Sequence, residues 1–271
     1  MIIEYAVNDG GEPTVHRCYE SMVRSVLAQP NEPAVILLFS VFPGGYTLQN
    51  DLQPIGYAYD LMMVSMKNSA YPHLGKEWTQ DEYYFDQYHP TSIGHGVMAD
   101  CILKTIETAA AMPEAEEDIK LEEIKPVFGD EFMNLQRIFR DSLDENLHLD
   151  PGGFAADDAS AYRNLPVGRV CGSNFHYNGL KGQEPLRFTA TFSQLLLAIR
   201  TTPDESFGKV EVLVDGEVTA TVNPHTNGSW GQSDVFWVCR NAESKEHRVE
   251  IRMAEGEATK KCTITTIAYA P

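Results

Sequence analysis

The chain has 271 residues and a formal net charge of −18, with a pI near 4.7. That length admits one or two domains with a sizeable core. The acidic balance argues against nucleic acid and anionic membrane surfaces as partners, since both need clustered Lys and Arg.

Residues 2–7 (IIEYAV) form a short apolar run suited to a buried parallel strand, broken by Asn8-Asp9-Gly10-Gly11 at the carboxyl end, where open α/β sheets place their sites. A helix is predicted over 14–29, with Val15, Tyr19, Met22, Val23, Val26 and Leu27 on one face. The continuously apolar, β-branched run 34–42 (AVILLFSVF) is the best central strand in the chain. A Gly-Gly loop at 44–45 leads to a helix near 51–60, and LMMVSM at 61–66 reads as a third strand. Residues 67–90 are loop-rich and aromatic (Tyr71, Trp78, Tyr83, Tyr84, Phe85, Tyr88), ending in the pair Asp86-x-x-His89 just before Pro90. A carboxylate three residues from an imidazole can hold the ring in one tautomer and stabilise its protonated form, as a general base for nucleophile activation requires. Pro90 keeps His89 out of helical conformation, Thr91 or Ser92 is a candidate N-cap, and a helix follows to residue 111.

Residues 112–150 are acidic and read as a solvated linker carrying a short amphipathic helix in GDEFMNLQRIFRDSLDENL. From about residue 155 the period switches towards two: LRFTATF, LLLAIRT, KVEVLVDGEVTATV, SDVFWVCR, HRVEIRMAE and CTITTIAYA are strand candidates, with Asp215-Gly216 as a hairpin turn. The expected organisation is an α/β domain over 1–112, a linker over 113–150 and an antiparallel β-sandwich of jelly-roll type over 151–271.

Two stretches resemble signature blocks of the SGNH (GDSL) hydrolases. YFDQYHPTSIGHGVMAD looks like the last block, Asp-x-x-His-Pro followed by a Gly-His helix start, and IIEYAVNDG looks like the block whose Asn donates to the oxyanion. The resemblance implies a doubly wound, flavodoxin-like sheet of order 2-1-3-4-5 and a carboxylic ester hydrolase, of carbohydrate O-acetylesterase (acetylxylan esterase-like) type. It assigns His89 as general base, Asp86 as its orienter and Asn8 as oxyanion donor. The family's Gly-Asp-Ser nucleophile block and its second, Gly block both precede the Asn block, and Met1 lies seven residues before Asn8. The expectation is therefore a truncated sheet whose bare edge at residues 2–7 takes up a second copy, the C-terminal domain or a complementing partner. PVFGDEF, with Glu131 where serine would stand, reads as a chance look-alike.

Tyr46 is a candidate substrate-lining residue and Trp230, in the turn-like NGSWGQ, a candidate sugar platform; Trp237 is assigned to the core. Asp9 is expected to orient its loop, His95 to be structural or solvent-facing, and His16 and His73 to lie on the surface. No metal site or cofactor is expected, and the resemblance implies an acetylated sugar or small ester as substrate. The five cysteines are odd in number and lack C-x-x-C spacing, so they read as buried reduced thiols and lean the location towards the cytoplasm. The sequence alone also leaves open a non-catalytic carbohydrate-binding protein or one half of a split esterase.

Overall fold

In the computed structural model of the protein, all residues are described except 9, 12, 114–118, 142–146, 163–172, 241–242 and 271. The chain divides into two compact units, Met1–Met133 and Asn134–Pro271.

Unit 1 runs β1 (Ile2–Glu4), α1 (Pro13–Leu27), β2 (Ile36–Phe39), α2 (Gln49–Ala58), β3 (Met62–Ser65), the single turn α3 (Gln80–Tyr83) and α4 (Ser92–Ala110). The three strands form one parallel sheet in the order β1-β2-β3, so the most apolar run is central. Because side chains alternate along a strand, Leu37 and Phe39 pack with Tyr19, Val23, Leu52 and Ile55 of α1 and α2. Ile36 and Leu38 pack the other way, with Val64 and with Val97, Met98 and Cys101 on the α4 side. Helices thus cover both faces of a short parallel sheet, the arrangement that apolar, non-alternating strands demand. The first strand ends at Glu4, earlier than expected, because residues 6–8 already turn.

The acidic stretch expected as linker behaves differently in its second half. Leu121, Ile124 and Phe128 pack against the α1/α2 side of the sheet. Their anchor is Glu20, fully buried in α1, whose carboxylate accepts the backbone N–H groups of Val127 (2.7 Å), Phe128 (2.6 Å) and Gly129 (3.0 Å) and the hydroxyl of Tyr59 (2.6 Å). Arg24 completes the arrangement, donating to the Tyr59 hydroxyl and to the carbonyls of Ile124 and Leu121, with Asp130 3.3 Å away. Burial, with the Glu20 carboxylate beside it, pushes the Tyr59 phenol up to about 12. Arg17 pairs with Glu131 at 2.8 Å, so Gly129, Asp130 and Glu131 of the Gly-Asp-Glu look-alike all have structural partners on α1. His16 is buried against Phe128, ring centroids 4.9 Å apart, instead of lying on the surface, since this returning segment covers the first turns of α1.

Unit 2 contains β4 (Gln136–Ile138), β5 (Phe175–Tyr177), β6 (Leu186–Phe192), β7 (Gln194–Arg200), β8 (Val210–Val214), β9 (Glu217–Val222), β10 (Ser233–Cys239), β11 (Lys245–Met253) and β12 (Cys262–Ala270). One antiparallel sheet has the order β10-β7-β12-β4, with β5 also on β12, and the other β6-β11-β8-β9. Both contribute to one core, with Leu195, Leu197, Ile199 and Ile264 from the first and Phe188, Phe192, Val212, Val249 and Ile251 from the second. Asp215 and Gly216 turn the β8–β9 hairpin with φ of 53° and 88°, the two positive values a type I′ turn needs. Where the amphipathic helix was expected, Gln136–Ile138 is instead a strand, because Ile138 drops into the core when paired with Ile267 of β12; residues 142–146 lie outside the described residues.

One end of this sandwich holds a buried polar network. Asp158 accepts from Arg200 (2.7 Å), Thr263 (2.8 Å) and Ser160, and its own amide donates to the side chain of buried Asn174 (2.8 Å). His176 shares a hydrogen bond with Thr263 at 2.9 Å. Burial alone would raise the Asp158 carboxyl, but the hydrogen bonds from Ser160, Arg200 and Thr263 outweigh it and hold the group at about 2. Burial pushes the His176 imidazole down.

Two predictions follow from these anchors. Glu20→Gln turns an amide NH₂ towards backbone donors. It is expected to cost roughly 2–4 kcal/mol in urea unfolding of unit 1, a scale set by charged hydrogen bonds and unsatisfied buried groups, and to speed amide exchange at Val127–Gly129. For Asp158 the native carboxylate binds its proton less readily than the unfolded chain does, so stability is present above the ordinary carboxyl value of 3.8 and is lost as pH falls towards about 2. The depressed His176 acts in the same direction, beginning below the ordinary histidine value of 6.5. Protection of the β7 and β12 amides, taken relative to the free-peptide exchange rate at each pH from 6 to 3, should fall in the wild type, and Asp158→Asn should remove the acidic part of that dependence.

Candidate active site

The turn between α3 and α4 is built by local hydrogen bonds. Thr79 caps α3 through a capping box with Glu82, and Thr91 caps α4 by accepting from the Gly94 amide (3.2 Å). Gly94 is required here, since a Cβ would lie 2.3 Å from the Tyr83 carbonyl oxygen and 2.9 Å from the Pro90 side chain. This explains the Gly-His helix start physically: only glycine lets α4 begin against the chain that leads into the loop. Phe85 N–H donates to the His89 carbonyl (2.7 Å) and Thr91 N–H to the Tyr83 carbonyl (2.9 Å), closing residues 85–89 into a compact loop.

Inside that loop, one oxygen of Asp86 accepts the amides of Tyr88 and His89, both at 2.7 Å. The same carboxylate meets His89 Nδ1 at 2.9 and 3.0 Å. The His89 side chain and the Tyr88 amide hold the Asp86 carboxyl below the usual carboxylate range. An ionised carboxylate only accepts, so Nδ1 carries the hydrogen in this contact and Nε2 is the nitrogen away from Asp86. The spacing of three residues thus has a geometric consequence: the backbone amides orient the carboxylate, and the carboxylate orients the ring. The His89 side chain is 72% exposed and that of Asp86 39%. In open water such a pair is weakly coupled.

Further contacts hang this loop on the sheet. The Tyr84 hydroxyl, in a buried side chain, donates to the Val41 carbonyl (2.7 Å) just beyond β2. Burial pushes Tyr83 up to about 12 and raises Tyr84 as well. Beyond β2, Phe42 N–H donates to the Tyr46 carbonyl and Gly45 N–H to the Phe42 carbonyl, with Gly45 at φ 84° making the turn. The Tyr71 hydroxyl holds the same loop through the Pro43 carbonyl (3.1 Å). Leu48 N–H donates to the Ala6 carbonyl (2.7 Å), tying this segment to the exit of β1.

The expected site residues fall into four groups. Asp86 and His89 are brought together by direct contact. Tyr46 stands next to them through Phe42, whose ring lies 6.0 Å from Tyr46 and 5.4 Å from Tyr88. Asn8 is exposed in the turn after β1, on the same carboxyl edge of the sheet, and no hydrogen bond joins it to the pair among the described residues; Asp9 lies outside them. Trp230 belongs to unit 2, exposed on a loop braced by Gln232 and Ser229. Trp237 is not in the core: Phe236 and Val238 take that face of β10, and Trp237 is half-buried with the Arg240 guanidinium 4.0 Å over its ring. His73 pairs with Glu77 at 2.7 Å on the surface, and His95 lies exposed on α4. Phe42 and Tyr88 join these residues without a motif that marks them; the signals in the sequence are Phe42 beside the Gly-Gly loop and Tyr88 immediately before His89.

Among the described residues no group of three His, Cys, Asp or Glu could hold a metal ion, and no helix is long and apolar enough to cross a membrane. Cys262 is fully buried, its thiol pushed up to about 12 by burial, whereas Cys18 is exposed, contrary to the expectation for all five; Cys171 lies outside the described residues.

No family model matches the chain, and no curated protein matches it in sequence. Among solved structures, a two-domain esterase (CEX) active on acetylated mannans superposes with a TM-score of 0.78 at 22% identity, over 100% of this chain and 72% of that one. The same esterase co-crystallised with mannopentaose gives 0.76 and 23%, with the same coverage. The protein therefore has the fold of part of a two-domain carbohydrate esterase. An acetyl xylan esterase (Est2A) from the rumen bacterium Butyrivibrio proteoclasticus aligns over 50% of this chain and 32% of its own at 16% identity, with a TM-score of 0.33, too slight a likeness to add to this.

The geometry of the pair makes a spectroscopic prediction. Imidazole ¹⁵N shifts should show His89 as the Nδ1–H tautomer at neutral pH, and Asp86→Ala should shift it towards Nε2–H. In His89→Ala the Asp86 carboxyl, followed by ¹³C titration, should move back up towards the ordinary carboxylate range.

Proposed function

We propose that the protein is a carboxylic ester hydrolase of SGNH type acting on O-acetylated carbohydrate, and that Asp86 and His89 form the base half of its catalytic triad. The observation that carries this is the carboxylate-to-Nδ1 contact in a loop at the carboxyl edge of a parallel sheet, within a fold shared with an esterase active on acetylated mannans. In this reading His89 Nε2 takes a proton from the attacking oxygen as it closes on the ester carbonyl. Asp86 holds the ring in the required tautomer and stabilises the imidazolium, and His89 then gives the proton to the departing sugar oxygen, which leaves as the free hydroxyl. Asn8, at the exit of β1, donates to the oxyanion as it develops. The 271 residues contain no Gly-Asp-Ser. The attacking oxygen is then a serine or water that this motif does not mark, or comes from outside these residues.

A second reading has a specific observation behind it. β1 is an edge strand of the sheet, and Ile2 and Tyr5 beside that edge are 49% and 44% exposed. Exposed apolar edges recruit partners, which favours a chain that works once another segment, or another copy, lies along β1. Binding without catalysis through Trp230 is the third possibility and predicts retention on acetylated polysaccharide independent of His89.

The test is release of p-nitrophenol from p-nitrophenyl acetate by the purified chain beside its His89→Ala variant. We expect weak turnover, well under the roughly 10 s⁻¹ of a typical enzyme, lowered at least a hundredfold by the substitution. Equal rates in the two proteins would remove the pair from any catalytic role.

A further inference from the structure

Tyr88, between Phe42 and His89, extends the candidate site into a row of aromatic rings. The order is Tyr46, Phe42, Tyr88, His89, with centroid distances of 6.0, 5.4 and 6.2 Å between successive rings. Tyr46 and Tyr88 are about half exposed (47% and 52%), and Phe85, in the same loop, is 80% exposed. Isolated surface aromatics are ordinary. Here the rings touch one another and sit on two short loops fixed by backbone hydrogen bonds, Phe42 to Tyr46 and Phe85 to His89, with Tyr84 clamping one loop to the other. Exposed apolar surface held this firmly, and continuous with a poised imidazole, marks a recognition surface.

We infer that Phe42, Tyr46 and Tyr88 form the subsite that seats the pyranose ring of the sugar carrying, or next to, the ester cleaved at His89. This rests on the proposed function and names its substrate-positioning residues. A pyranose has one face rich in C–H groups and a rim of hydroxyls. The first matches an aromatic face, and the second matches tyrosine hydroxyls at the edge of an otherwise apolar row. Phe42 has no polar group and serves as the hub that orients the two tyrosines, stacked on one at 26° and edge-on to the other at 70°. The net charge of −18 selects for neutral chains over acidic ones, since a polyuronate would be repelled. A ring lying on this row also covers the exposed pair, displacing the water that weakens it. The row thus gives the proposed hydrolase a preference for saccharide esters over simple alkyl esters.

The experiment measures binding, not turnover, so that it stands whether or not the chain hydrolyses esters. Acetylated mannotetraose and acetylated xylotetraose are titrated into the full chain by calorimetry, beside Tyr46→Ala, Tyr88→Ala, Phe42→Leu and Trp230→Ala, with thermal melts to confirm that each variant is folded. We expect a saturable interaction with at least one probe, weakened about tenfold by each tyrosine truncation, consistent with loss of an aromatic contact. Tyr88→Phe should lose less than Tyr88→Ala, and Trp230→Ala should not alter this site. Binding that survives both tyrosine truncations, or fails only in Trp230→Ala, overturns the subsite while leaving the esterase reading intact. Absence of binding to either probe overturns it as well. Conversely, tyrosine-dependent binding together with His89-independent ester hydrolysis keeps the subsite and rejects the catalytic reading.

Discussion

All three strands of the first unit run parallel, so their carboxyl ends lie on one edge, and the candidate site is what grows from that edge. The hydrogen bond from the buried Tyr84 hydroxyl to the Val41 carbonyl joins the loop after β2 to the loop before α4. Together with the packing of Val41 against Tyr83 and Tyr84, it fixes Phe42 relative to Tyr88 and moors the loop that carries Asp86 and His89. Gly94 fixes the far end of the same loop, by letting α4 start in contact with the Tyr83 carbonyl. The site's polar geometry is thus short-range, and its placement depends on a few contacts to the sheet.

The opposite flank shows how a charged group can organise a core. Glu20 and Arg24 stand one turn apart on α1, where an apolar helix face would ordinarily continue, and both are buried. They are satisfied because the segment 121–133 returns along the helix and offers backbone amides to the carboxylate and carbonyls to the guanidinium. Neither partner is tolerable there alone, since a buried charge needs its hydrogen bonds. That reciprocity is why an acidic, linker-like stretch belongs to the first unit.

The second unit solves a similar problem with different means. Its two sheets share an apolar core, while the Asp158, Arg200, Thr263 and Asn174 cluster closes one end through charge-assisted hydrogen bonds. Trp230 projects from a loop braced by Ser229 and Gln232. Each unit therefore carries an exposed aromatic surface, the row beside His89 in one and Trp230 in the other.

Local signals in the sequence determined a good deal. The continuous apolar run of β2, the alternation in β6 and β11, the Asp215-Gly216 hairpin and the Thr91 cap all act over a few residues, so their outcome is readable without the rest of the chain. The Asp86-x-x-His89 contact belongs with them, because an Asx-type turn forms from its own amides. Tertiary structure decided what depends on distant partners. Glu20 and His16 became interior because residues 121–133 fold over α1, and Gln136–Ile138 became a strand because β12 offered an edge. Trp237 faced away from the core because β10's pairing with β7 set which alternate side chains turn inward. The row of Phe42, Tyr46 and Tyr88 likewise exists only because the loop after β2 meets the loop between α3 and α4, joined by Tyr84 and Val41; no spacing along the chain encodes a contact between segments that far apart.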